Sequence, residues 1–375
     1  MTDLDARLAQ LRGSDPPRRH TARTIAALTT NPGCARRAVL DAAGVDKERL
    51  AAHVGFPARF GQSRFAITRG NAFEAQVKAN GCAELLSLLR ARLGLPVEEV
   101  GYNDLESVGG NESNEVRHAR ARTLITRAAR AADDAGTLFD HPLLRLDVGG
   151  RAVYLEPDLI AFRLRGRFHV VEIKSFPVID GQADPTKVAA AAIQSAVYVL
   201  AMRAMLAEQG LDPQTVSHEI VLVCPKDFAN RPVATLVDVR KQLTVLRRQL
   251  SRLTRIEELL DALPDGLTLD LRPDGDGVPT ATAAELGASL GRVDARYAPE
   301  CLSHCEIAYF CRHEARGDTA ALGRTVREEL GGIESVDTAL GLARERLSPS
   351  DEQEEAAALL RAAARLRAEH LGALA

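Results

Sequence analysis

Two apolar runs meeting at a glycine constrain the fold more than any other stretch of this chain. The first runs from Tyr154 to Phe162 and the second from Phe168 to Lys174, with Arg165-Gly166-Arg167 between them. Apolar, β-branched-rich runs joined through a polar, Gly-centred turn predict a hairpin. Side chains alternate along a strand, so Glu172 and Lys174 share one face while Val171 and Ile173 bury on the other. Asp158 lies on the neighbouring strand, within reach of that polar face. Two carboxylates and an ammonium converging on one sheet edge suit a hard divalent cation beside a phosphate, because Mg²⁺ and Mn²⁺ favour carboxylate oxygens and keep several waters. Asp158 and Glu172 then serve as metal ligands, with the Ile173 carbonyl as a further one. Lys174 orients the attacking water or neutralises charge in the transition state. The alternative is two surface carboxylates balanced by Lys174.

The rest of the chain sets the context for that hairpin. At 375 residues it can bury a large core, as one domain or two. Hydrophobic residues make up 46% and charged residues 26%, as in ordinary globular proteins. No apolar run reaches the roughly 18 residues of a membrane span. The acidic start, Met1 to Asp5, has no apolar signal core, which predicts a cytoplasmic protein without a membrane partner. A net charge of -3 gives no hint of a polyanion partner, so local clusters matter more than the sum. Aromatics are only 4%, fewer than a binder built on base-stacking platforms carries.

Along the chain, residues 1–20 read as a short helix and a mobile basic arm. Helical pattern runs from there to about residue 50. A helix is predicted from Asn71 to Leu93, stopped by Gly94 and Pro96. Residues 101–116 read as a loop and about 115–134 as a basic helix. Ala189 to Glu208 read as a buried helix and His218 to Cys224 as a further strand. Residues 238–263 read as one long basic helix, 264–298 as a lid or linker, and Asp351 to Leu374 as a closing helix. Helix, strands, helix, strand argues for a mixed sheet flanked by helices. Arg117, Arg120, Arg127 and Arg130 recur at helical spacing, as do Arg240, Arg247, Arg248 and Arg255. Such stripes suit a phosphate backbone or, equally, a solvated face laced with ion pairs.

Two further stretches bear on the hairpin. Arg69 to Glu74 opens the upstream helix, and Glu74 on its first turn is placed to reach the same metal. Gln194 and Tyr198, four residues apart, share one face of the buried helix and need polar partners there. A satisfied core hydrogen bond between them is the plainer explanation.

The order Gly-x3-Glu, Pro-Asp, Glu-x-Lys, Gln-x3-Tyr resembles the PD-(D/E)xK nuclease superfamily, its RecB-like branch in particular, over Arg69 to about Cys224. The resemblance implies an α/β (α+β) fold with a restriction-endonuclease-like core, a mixed central sheet flanked by helices. It also implies Glu74 as the helix carboxylate, Asp158 and Glu172 as strand ligands, Lys174 as the catalytic lysine, and Gln194 with Tyr198 as the branch-specific motif. One departure concerns the helix. The branch often carries His four residues after the Gly and Glu four further on, where this chain has Glu74 and Lys78.

Cys301, Cys305 and Cys311 give Cys-x3-Cys-x5-Cys near the C-terminus, and Cys34 upstream is the natural fourth ligand. One upstream and three downstream cysteines look like the iron–sulfur exonucleases of the CRISPR-adaptation and AddB type, although the tail spacing there is commonly Cys-x2-Cys. The resemblance implies a structural 4Fe-4S cluster. Zinc is the alternative, with His304 or His313 replacing Cys34, and free thiols are a third. Cys82 and Cys224 read as core residues.

The expected organisation is an arm at 1–20, a nuclease domain at 21–315 with its core at 69–230 and a cysteine clasp from 34 and 301–311, and a helical extension at 316–375. The expected activity is Mg²⁺- or Mn²⁺-dependent DNA hydrolysis, an exonuclease on single-stranded ends in repair, recombination or phage defence. The alternatives are a DNA-binding or helicase-partner subunit with a nuclease fold, and a defence endonuclease on duplex DNA.

Overall fold

The computed structural model describes residues 3–58, 64–93, 100–105, 113–131, 136–164, 166–227, 229–273 and 278–372. Its contacts divide the chain into two compact units. One comprises Met1–Pro17, Gly33–Phe60 and Leu260–Ala375, and the other Arg18–Pro32 and Gly61–Leu259.

The second unit holds the hairpin. Its strands, in chain order, are β1 Val100–Asp104, β2 Gly136–Asp140, β3 Leu144–Val148, β4 Arg151–Leu155, β5 Leu159–Leu164, β6 Arg167–Ile173, β7 Val178–Ile179, β8 Gln182–Ala183, β9 Glu219–Pro225 and β10 Pro232–Asp238. Six of them form one sheet in the order β1-β2-β5-β6-β9-β10. The β1/β2 and β6/β9 pairs are parallel, and β2/β5, β5/β6 and β9/β10 are antiparallel. The protein is thus mixed α/β with a mixed central sheet of six strands flanked by helices.

Both faces of this sheet are covered, which is why β6 reads as an apolar run rather than a simple alternation. Phe73, Val77, Leu85 and Leu89 of the helical stretch Arg64–Leu93 pack with Leu138, Leu159, Val171, Ile173, Val221 and Val223 on one face. The other side is held by the helix Pro185–Glu208, which packs on β6, β9 and the β3–β4 hairpin. Asp184 caps this helix by accepting from the backbone N–H groups of Thr186 and Lys187, and Pro185 fits the first turn. By length and composition it is also apolar enough to cross a membrane, contrary to the sequence expectation, but it lies mostly buried inside the protein.

Several boundaries differ from the sequence reading. The Tyr154–Phe162 run is two strands, because Glu156-Pro157-Asp158 breaks it: Tyr154 and Leu155 pair with β3, and β5 begins at Leu159. Residues 101–104, expected in a loop, form most of β1, while 106–112 of that stretch lie outside the described residues, as do Gly94, Pro96 and Arg165. The helix over Arg64–Leu93 is interrupted: Ala79 is extended and Asn80, Gly81 and Cys82 adopt left-handed backbone. The expected helix over 238–263 is two, Arg240–Leu250 and Ile256–Asp261.

In the first unit, residues 3–12 are not a loose arm. Helix Asp3–Arg12 buries Leu8 and Leu11, Leu11 accepts from the Leu269 N–H at 2.8 Å, and Arg12 Nη1 donates to the Ala43 carbonyl at 2.9 Å. The stretch expected as a lid or linker carries the helix Ala283–Gly291 with Leu286 and Leu290 buried.

Candidate active site and cysteine centre

The antiparallel β5/β6 register aligns Leu159 with Val171 and Ile160 with Val170. Continued one step outward, it sets Asp158 opposite Glu172. Asp158 Oδ2 accepts a hydrogen bond from the Ile173 N–H at 2.8 Å, which ties the entrance of β5 to the exit of β6. Lys174 follows directly, its own N–H bound to the Val223 carbonyl of β9 at 2.9 Å. The site therefore sits at strand ends in the interior of the sheet, not at the sheet edge that the hairpin alone suggests.

Glu172 is 0% exposed, because its face of β6 is covered as fully as that of Val171. Its carboxylate is ion-paired with the Lys174 ammonium, yet neither oxygen gains a well-directed hydrogen bond. Burial first, and then the neighbouring Asp158 charge, push its pKa up to about 8 against the opposing pull of Lys174. Asp158 is raised as well, by burial with Glu74 adding to it and Lys174 opposing. Lys174 is raised too: burial works against its charge, but Glu172 and Asp158 outweigh that and keep it an ammonium. Burial and neighbouring negative charge thus disfavour the ionised form of both carboxylates, as in a site short of positive charge.

Glu74 reaches the same neighbourhood from the helix Arg64–Leu93, before β1. It is held at Lys78 Nζ, 2.6 Å away, and at His141 Nε2, 3.3 Å away. Burial opposes its charge, but these two partners bring its pKa down to about 2. On the opposite side, Tyr198 is buried beside Glu172, and Gln194 Nε2 donates to its hydroxyl at 3.3 Å. Burial and the Glu172 and Asp158 charges raise the Tyr198 phenol well above its ordinary value. All six residues singled out from sequence thus meet around one strand end. The motif's Gly70 is not sterically demanded, since a Cβ there would lie an ordinary 3.8 Å from Ser175 Oγ.

Sequence reasoning missed Asp140 and His141, which end β2. Asp140 Oδ1 lies 2.7 Å from Lys78 Nζ and 3.0 Å from His141 Nδ1, and Asp140 also accepts from the Tyr102 hydroxyl. His141 holds a left-handed backbone at φ 46°, a strain that surrounding contacts must maintain. Burial lowers its basicity, but Asp140 and Glu74 more than compensate and push its pKa up to about 10. The available signal was the polar pair Asp140-His141 closing an apolar run just before Pro142.

The arginine stripes are partly spoken for. Arg117 pairs with Glu156, and Arg240 with Asp238, whereas Arg247 and Arg248 are exposed.

In the other unit, Cys34, Cys301, Cys305 and Cys311 are each 7% exposed. Cys34 occupies the N-cap position of helix Ala35–Ala43 but caps nothing with its side chain. The Cys305 N–H bonds to the Cys301 carbonyl at 2.8 Å, and Cys311 lies on the helix Ala308–Glu314. Burial pushes the Cys311 thiol up to about 12, with Arg36 opposing and Cys305 and Cys34 adding to the rise. Tyr297 senses both Cys301 and Cys311. Cys34, Cys305 and Cys311 are thus electrostatic neighbours, and a set of four thiols including Cys301 would suit an iron–sulfur cluster or zinc. Two buried arginines, missed in the sequence reading, line them. Arg36 Nη1 lies 3.2 Å from Cys311 Sγ, and Arg37 acts on Cys305 while its Nε binds Asp41 Oδ2 at 2.8 Å. His304 is adjacent in sequence, and the His313 ring packs 5.0 Å from that of Phe56. Among the described residues, no three His, Cys, Asp or Glu side chains in either unit are already gathered closely enough to hold one metal ion.

No family model matches the chain, and no curated protein matches it. Among solved structures, the crystal structure of SSO0001 aligns with 55% of this chain and 82% of its own length, at 12% identity and a TM-score of 0.18. A likeness that slight carries no functional argument, so the functional reading rests on the geometry of the two sites.

Proposed function

We propose that the protein is a divalent-metal-dependent nuclease that hydrolyses phosphodiester bonds in DNA, acting as an exonuclease on single-stranded ends. One observation carries this reading: the fully buried Glu172 carboxylate faces Asp158 with Lys174 as its ion-pair partner, and Glu74 adds a third carboxylate near both. A Mg²⁺ or Mn²⁺ ion held by Asp158 and Glu172, with Glu74 beside them, relieves that imbalance. When bound, such an ion polarises the phosphoryl oxygen and lowers the pKa of a bound water.

The chain's own residues supply the rest. Lys174, kept protonated by its two carboxylate neighbours, stabilises negative charge on the phosphoryl oxygens rather than removing a proton. Tyr198, uncharged and hydrogen-bonded to Gln194, offers a hydroxyl to an oxygen of the substrate or of Glu172. The mixed sheet flanked by helices agrees with a restriction-endonuclease-like core, and the four buried cysteines agree with a structural 4Fe-4S cluster, zinc being the alternative.

The test is hydrolysis of end-labelled single- and double-stranded DNA by purified protein with Mg²⁺ or Mn²⁺. Wild type is expected to degrade single strands from an end, and Lys174→Ala and Asp158→Ala to lose at least about a hundredfold in rate. Equal degradation by wild type and both variants refutes the assigned site. Cutting of closed circular DNA replaces the exonuclease with an endonuclease. No cleavage by wild type, with stable capture of a helicase, replaces it with a partner subunit.

A further inference from the structure

Lys78 stands out because it is surrounded by oxygen atoms in a way that surface lysines are not. Its Nζ lies 2.6 Å from Glu74 Oε1, 2.7 Å from Asp140 Oδ1 and 3.0 Å from the main-chain oxygen of Asp158. His141 Nε2 completes the shell at 3.4 Å. These oxygens come from three different elements: the helix Arg64–Leu93, the end of β2 and the entrance of β5. An ammonium needs no such convergence in order to be paired once.

Asp158 belongs to both halves of the centre. Its carboxylate lies beside Glu172 and Lys174, and its main-chain oxygen lies on Lys78. Nucleases that use two cations place them roughly 3.5–4 Å apart around shared oxygens. We infer that the Lys78 ammonium is a resident cation standing where a second divalent ion would otherwise bind, so that the proposed nuclease centre takes a single metal. This rests on the reading of Asp158 and Glu172 as metal ligands. Once the ammonium is gone, the carboxylates of Glu74 and Asp140 share the His141 ring as their remaining charged partner among the described residues, one positive charge against two negative ones.

The experiment counts Mn²⁺ bound to the full chain, by the electron paramagnetic resonance signal of free Mn²⁺. It compares wild type with Lys78→Met, which keeps the aliphatic stem, Lys78→Ala, and Lys78→Arg, which keeps the charge. Thermal melting of each variant is recorded alongside, to show that it is folded. About one equivalent is expected for wild type and Lys78→Arg, and about two for a folded Lys78→Met or Lys78→Ala. A Glu172→Gln/Lys78→Met double variant should lose the first ion and retain the second. One equivalent in the folded neutral variants overturns the role of Lys78 while leaving the metal site intact. Two equivalents in wild type overturn it as well. No binding by wild type overturns the metal site itself, and the inference with it.

Discussion

The Ile173 N–H donates to Asp158 Oδ2 across the β5/β6 pair at 2.8 Å, so a backbone group next to one acidic residue anchors the side chain of the other. This bond fixes where Asp158 points before any cation arrives. It leaves Glu172 as the group that suffers most in the metal-free protein.

Glu172→Gln should therefore stabilise the metal-free protein and abolish metal-induced stabilisation. The carboxyl pKa is raised to about 8 in the fold. A raised pKa means that its contribution is complete below the unfolded value, about 4.5, and is lost as pH rises through about 8. Metal-free wild type should thus lose melting temperature between about pH 4.5 and 8 more steeply than Glu172→Gln does. Adding Mn²⁺ at about a hundred times its dissociation constant should restore roughly 2.7 kcal/mol to wild type and nothing to the variant. Calorimetry across pH, with and without Mn²⁺, checks both outcomes.

His141 should stay an imidazolium throughout the neutral range. Its pKa of about 10 exceeds the unfolded 6.5, so its stabilisation is complete below pH 6.5 and fades toward pH 10. Glu74 and Asp140, both brought down to about 2, act in the opposite sense: their contribution is present above their unfolded values and lost as pH falls toward 2. With Lys78 charged throughout, this group of four is most stabilising between roughly pH 4.5 and 6.5. Imidazole nitrogen shifts measured from pH 6 to 8 should show His141 flat while an exposed histidine titrates.

Tyr198→Phe should separate catalysis from folding. The ring packing survives and one hydroxyl is lost beside Glu172, so stability should change by about 1 kcal/mol or less. A rate loss of about tenfold on single-stranded DNA is expected if that hydroxyl contacts the phosphate in the transition state. Paired melting and rate measurements decide it; a large drop in melting temperature with unchanged rate assigns Tyr198 to packing alone.

At the cysteine centre, anaerobically purified protein should be brown with a broad band near roughly 400 nm, and Cys34→Ser should bleach it. Arg37→Met should cost about 1.5–3 kcal/mol, because buried Asp41 loses one charged hydrogen-bond partner but keeps its ion pair with Lys47. Denaturant titration of the Arg37 variant and absorption spectra of the Cys34 variant provide the measurements.

The sheet and the site were readable where chemistry and periodicity coincide. Glu172, Lys174 and the run around them carry β-strand character and charge at once, and Gln194 with Tyr198 carry both helix phase and polarity. What escaped were residues whose role depends on long-range pairing. Residues 100–104 look polar and loop-like, and become a strand only because β2 lies alongside them. Asp140 and His141 show locally only as a polar pair before Pro142, and their role comes from Lys78, more than sixty positions earlier in the chain. The break at Asn80-Gly81-Cys82 lies within a good helical pattern, which periodicity alone cannot distinguish from an unbroken helix.

The bulge in β5 carries a consequence for how this protein tolerates change. Pairing shifts by one residue between Ala161 and Leu164, so the tip of the hairpin is out of step with its base. Gly166, at φ +74°, turns in open space with nothing within 4 Å of its would-be side chain. Length changes at that tip stop at the bulge and leave the pairing of residues 159–161 untouched. A single deletion between Asp158 and Ala161 does the opposite, since a one-residue slip sets Asp158 opposite an apolar neighbour of Glu172. The hairpin thus combines a tip open to drift, suited to acquiring new surface contacts, with a three-pair base in which the chemistry is locked.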